Sequence, residues 1–94
     1  MALARVVAFE GVTPERIAEM KQTIEGGEQP EGLNASEIMI LHDPDGERSL
    51  AVVIFDNEDD YRQGDAVLSA MPGSDVPGRR TSVQKYEVAV RRSR

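Results

Sequence analysis

Hydrophobic residues recur along this chain with two periods, one typical of strands and one typical of helices. Stretches rich in β-branched and aromatic residues predict four strands, ARVVAFEG (4–11), SEIMILHD (36–43), RSLAVVIF (48–55) and TSVQKYEVAV (81–90). Apolar residues at helical spacing predict two helices, one after Thr13 and one after Asp56 or Asn57. The predicted order is therefore strand, helix, strand, strand, helix, strand.

The first predicted helix has both of its ends marked in the sequence. Thr13 can accept hydrogen bonds from the free amides of the first turn, and Pro14 suits the first helical position. Gly26 and Gly27 end the helix, because glycine can adopt the left-handed conformation of a helix cap. The apolar stripe between these ends consists of Ile17, Met20 and Ile24.

The second predicted helix opens with three acids that complement the positive end of the helix dipole, namely Glu58, Asp59 and Asp60. Its apolar stripe consists of Tyr61, Leu68 and Met71. Pro72 and Gly73 end the helix. Gly64 lies on the same side as the stripe, so we expect a neighbouring group to pack closely against the helix at that point.

A short internal repeat places these elements in a fold class. VVAFE (6–10) and VVIFD (52–56) lie 46 residues apart, and each leads into an acid-capped helix. Two strand–helix–strand halves of this kind form the split βαβ, or ferredoxin-like, arrangement. We therefore predict an α+β fold, with a four-stranded antiparallel sheet and both helices on one face. One domain is expected over residues 1–94, with the basic tail RRSR (91–94) mobile in solution.

Three of the four predicted strands are apolar on both of their faces. In RSLAVVIF (48–55) both alternating sets of residues are largely apolar, and SEIMILHD (36–43) and ARVVAFEG (4–11) behave alike. Helices on one side of a sheet cover only one face. The other face would expose a larger apolar patch than soluble monomers usually tolerate, and a second copy of the sheet is the simplest cover. We expect a homodimer whose sheets face each other.

The element order, with the strings VVAFE, VVIFDNEDDY and the closing VQKYEVAV, resembles the dimeric α+β barrel superfamily. Within it, the chain looks like small single-domain bacterial proteins of the antibiotic-biosynthesis-monooxygenase type. The superfamily includes cofactor-independent monooxygenases, haem-degrading enzymes, lactone isomerases and ligand-sensing modules. The resemblance implies that a ligand would lie between the sheet and the helices. The chain has no tryptophan, which the quinol-oxidising monooxygenases place in their pocket, so no catalytic residue is carried over.

Composition limits the partners that the chain can have. Its net charge of −6 and pI of about 4.7 would repel phosphate, so nucleic acid is not expected as a partner. Nothing approaches the run of about 18 apolar residues that a membrane span needs, so no membrane association is expected. The absence of cysteine excludes a thiolate metal site and fits a reducing, cytoplasmic location.

The single histidine, His42, stands in the polar stretch HDPDGE (42–47). Pro44 presets a turn, and the aspartates on either side of it can accept hydrogen bonds from nearby backbone amides. Gly46 is expected to take a positive φ. The spacing does not fit a calcium loop, which needs glycine at its sixth position, and one imidazole is too few for zinc. We predict a hairpin turn here, and neither a metal nor a cofactor for the chain.

The remaining candidate chemistry is a pocket. Tyr61 lies on the inward stripe of the second helix and can give one hydroxyl to an otherwise apolar space, and His42 is the second candidate. The favoured hypothesis is a homodimer that binds a small, mostly apolar molecule between sheet and helices. Two alternatives stay open: a cofactor-independent monooxygenase or isomerase, and a structural or interaction protein with no pocket. A polar group buried in the cleft would favour the enzyme, and a filled cleft the structural role.

Overall fold

The strands and helices follow one another in the predicted order. A computed structural model describes residues 1–27, 32–70 and 78–92. The elements are β1 (Leu3–Glu10), α1 (Pro14–Glu25), β2 (Glu37–Asp43), β3 (Arg48–Phe55), α2 (Glu58–Ser69) and β4 (Arg79–Glu87). The sheet order is β2-β3-β1-β4, and every neighbouring pair is antiparallel. The predicted ferredoxin-like α+β fold is confirmed.

The helix starts are confirmed at the level of single hydrogen bonds. The Arg16 amide donates to Thr13 Oγ1 at 3.3 Å, and Pro14 is the first residue of α1. Asn57, and not Asp56, caps α2, because its Oδ1 accepts from the Asp60 amide at 2.8 Å. Gly27 has a φ of 78° and so supplies the left-handed cap of α1. The predicted stop at Pro72 and Gly73, like Met71, lies outside the described residues.

The last strand differs from its predicted bounds of 81–90. It begins two residues earlier, at Arg79, and ends three residues earlier, at Glu87. The reason is its neighbour: Glu87 pairs with Leu3, the first residue of β1, so the ladder has no partner strand beyond that point. The Val88 amide instead donates to the carbonyl of Ala2 at 2.9 Å. Residues 93 and 94 of the predicted mobile tail lie outside the described residues.

Residues 44–47 join β2 to β3 in the predicted hairpin turn. The Gly46 amide donates to Asp43 Oδ1 at 3.2 Å, and Arg48 Nε donates to Asp43 Oδ2 at 2.8 Å. The Arg48 guanidinium and then the Gly46 amide hold the pKa of the Asp43 carboxyl below its usual range. The expectation of a positive φ at Gly46 was wrong. Glu47 takes it, at 49°, because the left-handed residue of such a loop follows the turn and rejoins the strand.

The alternation along the strands divides the sheet into two faces. The covered face, toward the helices, carries two clusters of buried residues, Leu3, Leu33, Val53, Phe55 and Tyr61 in one and Val7, Phe9 and Val12 in the other. The open face carries the intervening residues. Among the described residues no helix packs on it, and four large apolar side chains are exposed there, those of Met39, Leu41, Leu50 and Tyr86.

A row of charged residues closes one end of the open face. The row consists of Asp43, Arg48, Glu10 and Arg79, which are paired across all four strands. The signs alternate, and two ion pairs result, Arg48–Asp43 at 2.8 Å and Arg79–Glu10 at 2.6 Å. The rest of the open face is uncharged apart from Glu37 at its other end, which pairs with Arg91 at 2.8 Å. Charge is therefore confined to the two ends of this face.

Candidate functional site

A cleft lies between α1 and β2 on the covered face of the sheet. Its volume is about 210 Å³. Five apolar and two charged residues line it: Ile17, Met20, Lys21, Ile24, Glu25, Ile38 and Ile40. The predicted apolar stripe of α1 thus faces β2, as an amphipathic helix on a sheet should. None of the twelve residues of α1 is buried: Ile17 packs against the cluster of Val7, Phe9 and Val12, and the cleft lies between the helix and β2.

Helix α2 packs closely on the sheet at Gly64. Gly64 is buried, and a Cβ atom at this position would collide with the ring of Phe55. The prediction that a neighbour packs closely against Gly64 is confirmed, and that neighbour is Phe55. The ring of Tyr61 meets the same phenylalanine edge to face, with 5.6 Å between the ring centroids. The absence of a side chain at one position therefore lets α2 pack directly against the sheet.

Tyr61 belongs to this packed core and does not line the cleft. It is buried between Phe55 and Lys85, whose Nζ lies 4.8 Å from the centre of the phenol ring. Burial raises the pKa of the phenol, and the nearby Asp65 carboxylate adds to the rise. The hydroxyl therefore stays protonated at neutral pH and is able to donate a hydrogen bond. Its contact with a ligand stays a prediction.

His42 lies at the far end of the covered face, half-buried. Its Nε2 is 3.4 Å from the carbonyl oxygen of Val12, which accepts a hydrogen bond when that nitrogen carries the proton. The residue opposite on β3 is Ser49, and its buried Oγ has no hydrogen-bond partner among the described residues. From Ser49 to Phe55, where Tyr61 packs, β3 runs for about 20 Å. The structure thus does not bring His42 and Tyr61 together, and a ligand role for His42 stays a prediction.

Sequence reasoning missed an ion pair inside the layer between α2 and β1. Arg5 is only 4% exposed, and its Nε donates to Asp65 Oδ1 at 2.8 Å while its Nη2 donates to Ser69 Oγ at 3.3 Å. The signal was present in the sequence. Arg5 occupies an inward position of an otherwise apolar strand, between Leu3 and Val7, and a cation there needs a partner on the facing helix.

The first-turn acids of α2 also have partners that the sequence did not reveal. Glu58 accepts two hydrogen bonds from Lys85 Nζ, at 2.7 and 2.9 Å. The bond from Lys85 lowers the pKa of the Glu58 carboxyl, and the charges of Lys85 and Arg62 act in the same direction. Asp60 accepts a hydrogen bond from the Asn34 amide at 3.1 Å. These acids thus tie α2 to β4 and to the segment before β2, in addition to complementing the dipole.

The described ranges contain neither a membrane-crossing helix nor an evident metal cluster. Across residues 1–27, 32–70 and 78–92, no helix is long and apolar enough to span a bilayer. In the same ranges, no three or more histidine, cysteine, aspartate or glutamate residues are grouped so that they could hold a metal ion. The functional hypothesis below is built on the cleft between α1 and β2.

Comparison with known proteins shows that this fold is similar to that of a solved structure. No family model matches the sequence, and no curated protein matches it significantly. Among solved structures, the chain is similar to a protein from Chloroflexus aurantiacus J-10-fl that is provisionally described as an antibiotic biosynthesis monooxygenase. The two chains share a fold. The likeness covers 99% of this chain and 98% of that one, with a TM-score of 0.62 and 9% sequence identity. The fold implied by the sequence resemblance is confirmed. At 9% identity, the likeness says nothing about the activity of this chain.

Proposed function

We propose that the protein is a homodimeric α+β barrel that binds a small, mostly apolar molecule in the cleft between α1 and β2. The observation that carries this proposal is the cleft itself, which lies between sheet and helix and has five apolar lining residues. Small-molecule sites are typically concave and mostly apolar, with a few polar groups that fix orientation. Because the cleft is not filled by side chains, a purely structural role without a pocket is less well supported.

The open face supports the dimer. Its centre is apolar and uncharged, while its charged residues are confined to the two ends, as in the apolar core and polar rim of a protein interface. A chain with a net charge of −6 repels its own copy unless the contacting surfaces lack acids. This face meets that condition, so a second copy of the same sheet is the partner that fits it best.

Sedimentation at micromolar concentration tests the dimer. The wild-type chain should sediment at twice its mass of 10.3 kDa. Met39→Lys, on the open face, should shift the equilibrium toward monomer, because the interface would then have to bury an unpaired cation. Val83→Lys is the matched control: both residues lie on edge strands and are 43% exposed, but Val83 is on the covered face. A wild-type mass of one chain at every concentration would contradict the dimer.

Calorimetry with a set of small apolar compounds tests the cleft. We expect at least one compound to bind the wild-type chain and to bind the variant Met20→Trp more weakly, because the larger indole ring would occupy part of the cleft. The variant should remain folded, since α1 has room beneath it. Compounds that bind the variant as tightly as the wild type would place the binding site elsewhere.

A cofactor-independent monooxygenase or isomerase is the alternative function. It draws on the fold shared with the Chloroflexus aurantiacus protein, and its candidate proton handlers are His42 and Tyr61. Among the described residues that line the cleft, the polar ones are Lys21 and Glu25, both exposed, so no buried polar group favours catalysis there. Oxygen uptake with aromatic quinols tests the alternative. Turnover that His42→Ala abolishes would replace the binding role with an enzymatic one.

A further inference from the structure

Two opposite charges lie at the mouth of the cleft, on one helix. Lys21 and Glu25 both line the cleft, and they are the charged members of its described lining. They are four residues apart on α1, so their Cβ atoms lie on the same side, about 5–6 Å from each other. The cleft thus combines an apolar interior with one cation and one anion at its edge.

Neither of these charges, on Lys21 and Glu25, has an ion-pair partner among the residues that the structure describes. They also form no pair with each other, and lysine before glutamate is the weaker order for residues four apart on a helix. Both groups are therefore free to contact a molecule in the cleft.

We propose that the cleft takes an α-amino acid with an apolar side chain, of the size of leucine. The ligand carboxylate accepts a hydrogen bond from Lys21 Nζ, its ammonium donates to the Glu25 carboxylate, and its side chain lies against Ile24 and the isoleucines of β2. The volume of about 210 Å³ suits a small occupant, since sites for drug-sized ligands occupy about 300–1,000 Å³. This proposal rests on the proposed function, because it specifies the occupant of the same cleft.

A zwitterion fits this mouth better than a ligand with one charge. A simple carboxylate that approaches Lys21 brings its charge close to Glu25, and a simple amine that approaches Glu25 meets Lys21. An α-amino acid carries an ammonium and a carboxylate on the same carbon atom, so it can satisfy both side chains at once. It also adds no net charge to a chain that already carries −6, whereas a carboxylate would be repelled.

Titration of the full chain by NMR, up to tens of millimolar ligand, tests the proposal. Four probes share one apolar skeleton: leucine, isocaproate without the ammonium, isoamylamine without the carboxylate, and isoamyl alcohol without either charge. We expect leucine to bind about two- to fivefold more tightly than isocaproate or isoamylamine, the range for contacts between exposed charges. All probes that bind should shift the signals of residues around the cleft.

Three variants test whether the preference for leucine depends on Lys21 and Glu25. Lys21→Gln should reduce the affinity for leucine to that for isoamylamine, and Glu25→Gln should reduce it to that for isocaproate. Glu19→Gln is the control, because Glu19 is an exposed acid on the same helix that does not line the cleft. All three positions are exposed or pair only at the surface, so the variants should fold normally.

Each outcome decides one of the two proposals. Leucine preference that is lost in both Lys21→Gln and Glu25→Gln, and kept in Glu19→Gln, supports the amino-acid ligand. If isoamyl alcohol binds as tightly as leucine, the proposal of an amino-acid ligand is wrong, but the proposal of an apolar binding cleft still stands. Leucine preference that survives both variants also overturns the amino-acid ligand. If no probe shifts any cleft signal, and the wider set of apolar compounds also fails to bind, the proposed function fails as well.

Discussion

The two helices are alike in length and in the way they begin, but they meet the sheet differently. Each has twelve residues, a side-chain cap and an acidic first turn. Helix α2 buries Tyr61 and Gly64 against Phe55, and it is joined to the sheet by the ion pairs of Asp65 and Glu58. Helix α1 buries none of its residues and makes no ion pair to the sheet among the described residues.

The difference shows how one small residue, Gly64, lets a helix pack closely against the covered face. Glycine at position 64 removes the side chain that would otherwise hold α2 away from Phe55. Helix α1 has Ile17, Met20 and Ile24 at its corresponding inward positions, and it remains further from β2. Close packing at Gly64 is therefore found under α2 and the cleft under α1, where we propose the binding site, and the predictions below compare the two regions.

The largest difference is expected from truncating one side chain in each region. Phe55→Ala should lower the free energy of unfolding by about 3–5 kcal/mol, because the ring is fully buried under α2. Ile24→Ala should cost about 1 kcal/mol or less, because Ile24 already borders an open space. Urea denaturation of both variants measures the two costs. Equal costs would mean that α1 packs as tightly as α2.

A smaller difference is expected from the ion pairs of the two helices. Asp65→Asn should cost about 1–2 kcal/mol, because Arg5 is buried and loses its counter-charge. The cost is limited because Asp65 itself is 44% exposed. Glu19→Gln, which removes the exposed partner of Arg16 on α1, should change stability by no more than about 0.5 kcal/mol. Thermal unfolding at low salt compares the two variants, and a larger loss in Glu19→Gln would contradict this difference between the two helices.

The smallest expected effect is on the loss of stability at acid pH. Lys85 lowers the pKa of Glu58 in the folded chain, so this contact stabilises the fold above the ordinary glutamate pKa of about 4.3 and is lost as the pH falls through the lower folded value. Glu58→Gln should therefore lose less stability than the wild type between about pH 5 and pH 3. Asp59→Asn, in the same turn but without an ion pair among the described residues, is the control. If the stability of Glu58→Gln falls with pH as steeply as that of the wild type, the contact between Glu58 and Lys85 does not hold α2 to β4.

Much of the fold follows from local patterns in the sequence. The helix caps at Thr13 and Asn57, the hairpin at residues 44–47 and the largely apolar faces of β1, β2 and β3 are all local features, and the structure confirms them. The predicted end of β4 was wrong because a neighbouring strand determines where β4 ends. The pairing partner of Glu87, and not the propensity of Val88 to Val90, ends β4.

The site could be predicted only in part. The stripe of α1 was identified, but its distance from the sheet depends on packing between elements far apart in sequence. Tyr61 was predicted at a pocket wall because it lies on the inward stripe of α2. The structure places it against Phe55 in the core, and the sequence held the reason in Gly64. A glycine on an inward stripe indicates close packing, and therefore a place where a cavity is not expected.

The δ1 methyl groups of the five isoleucines provide the most direct test of the account. Four of these residues, Ile17, Ile24, Ile38 and Ile40, line the cleft, and the fifth, Ile54, lies on the open face. With isoleucine methyl labelling, a bound small apolar molecule should shift the four cleft signals and leave Ile54 unchanged. With leucine methyl groups labelled as well, dilution that separates the dimer should shift Leu41 and Leu50, which are exposed on the open face, and leave the cleft signals unchanged. Ligand shifts confined to Ile54, or no shift at any of the four cleft methyls, would contradict the assignment of the binding site to the space beneath α1.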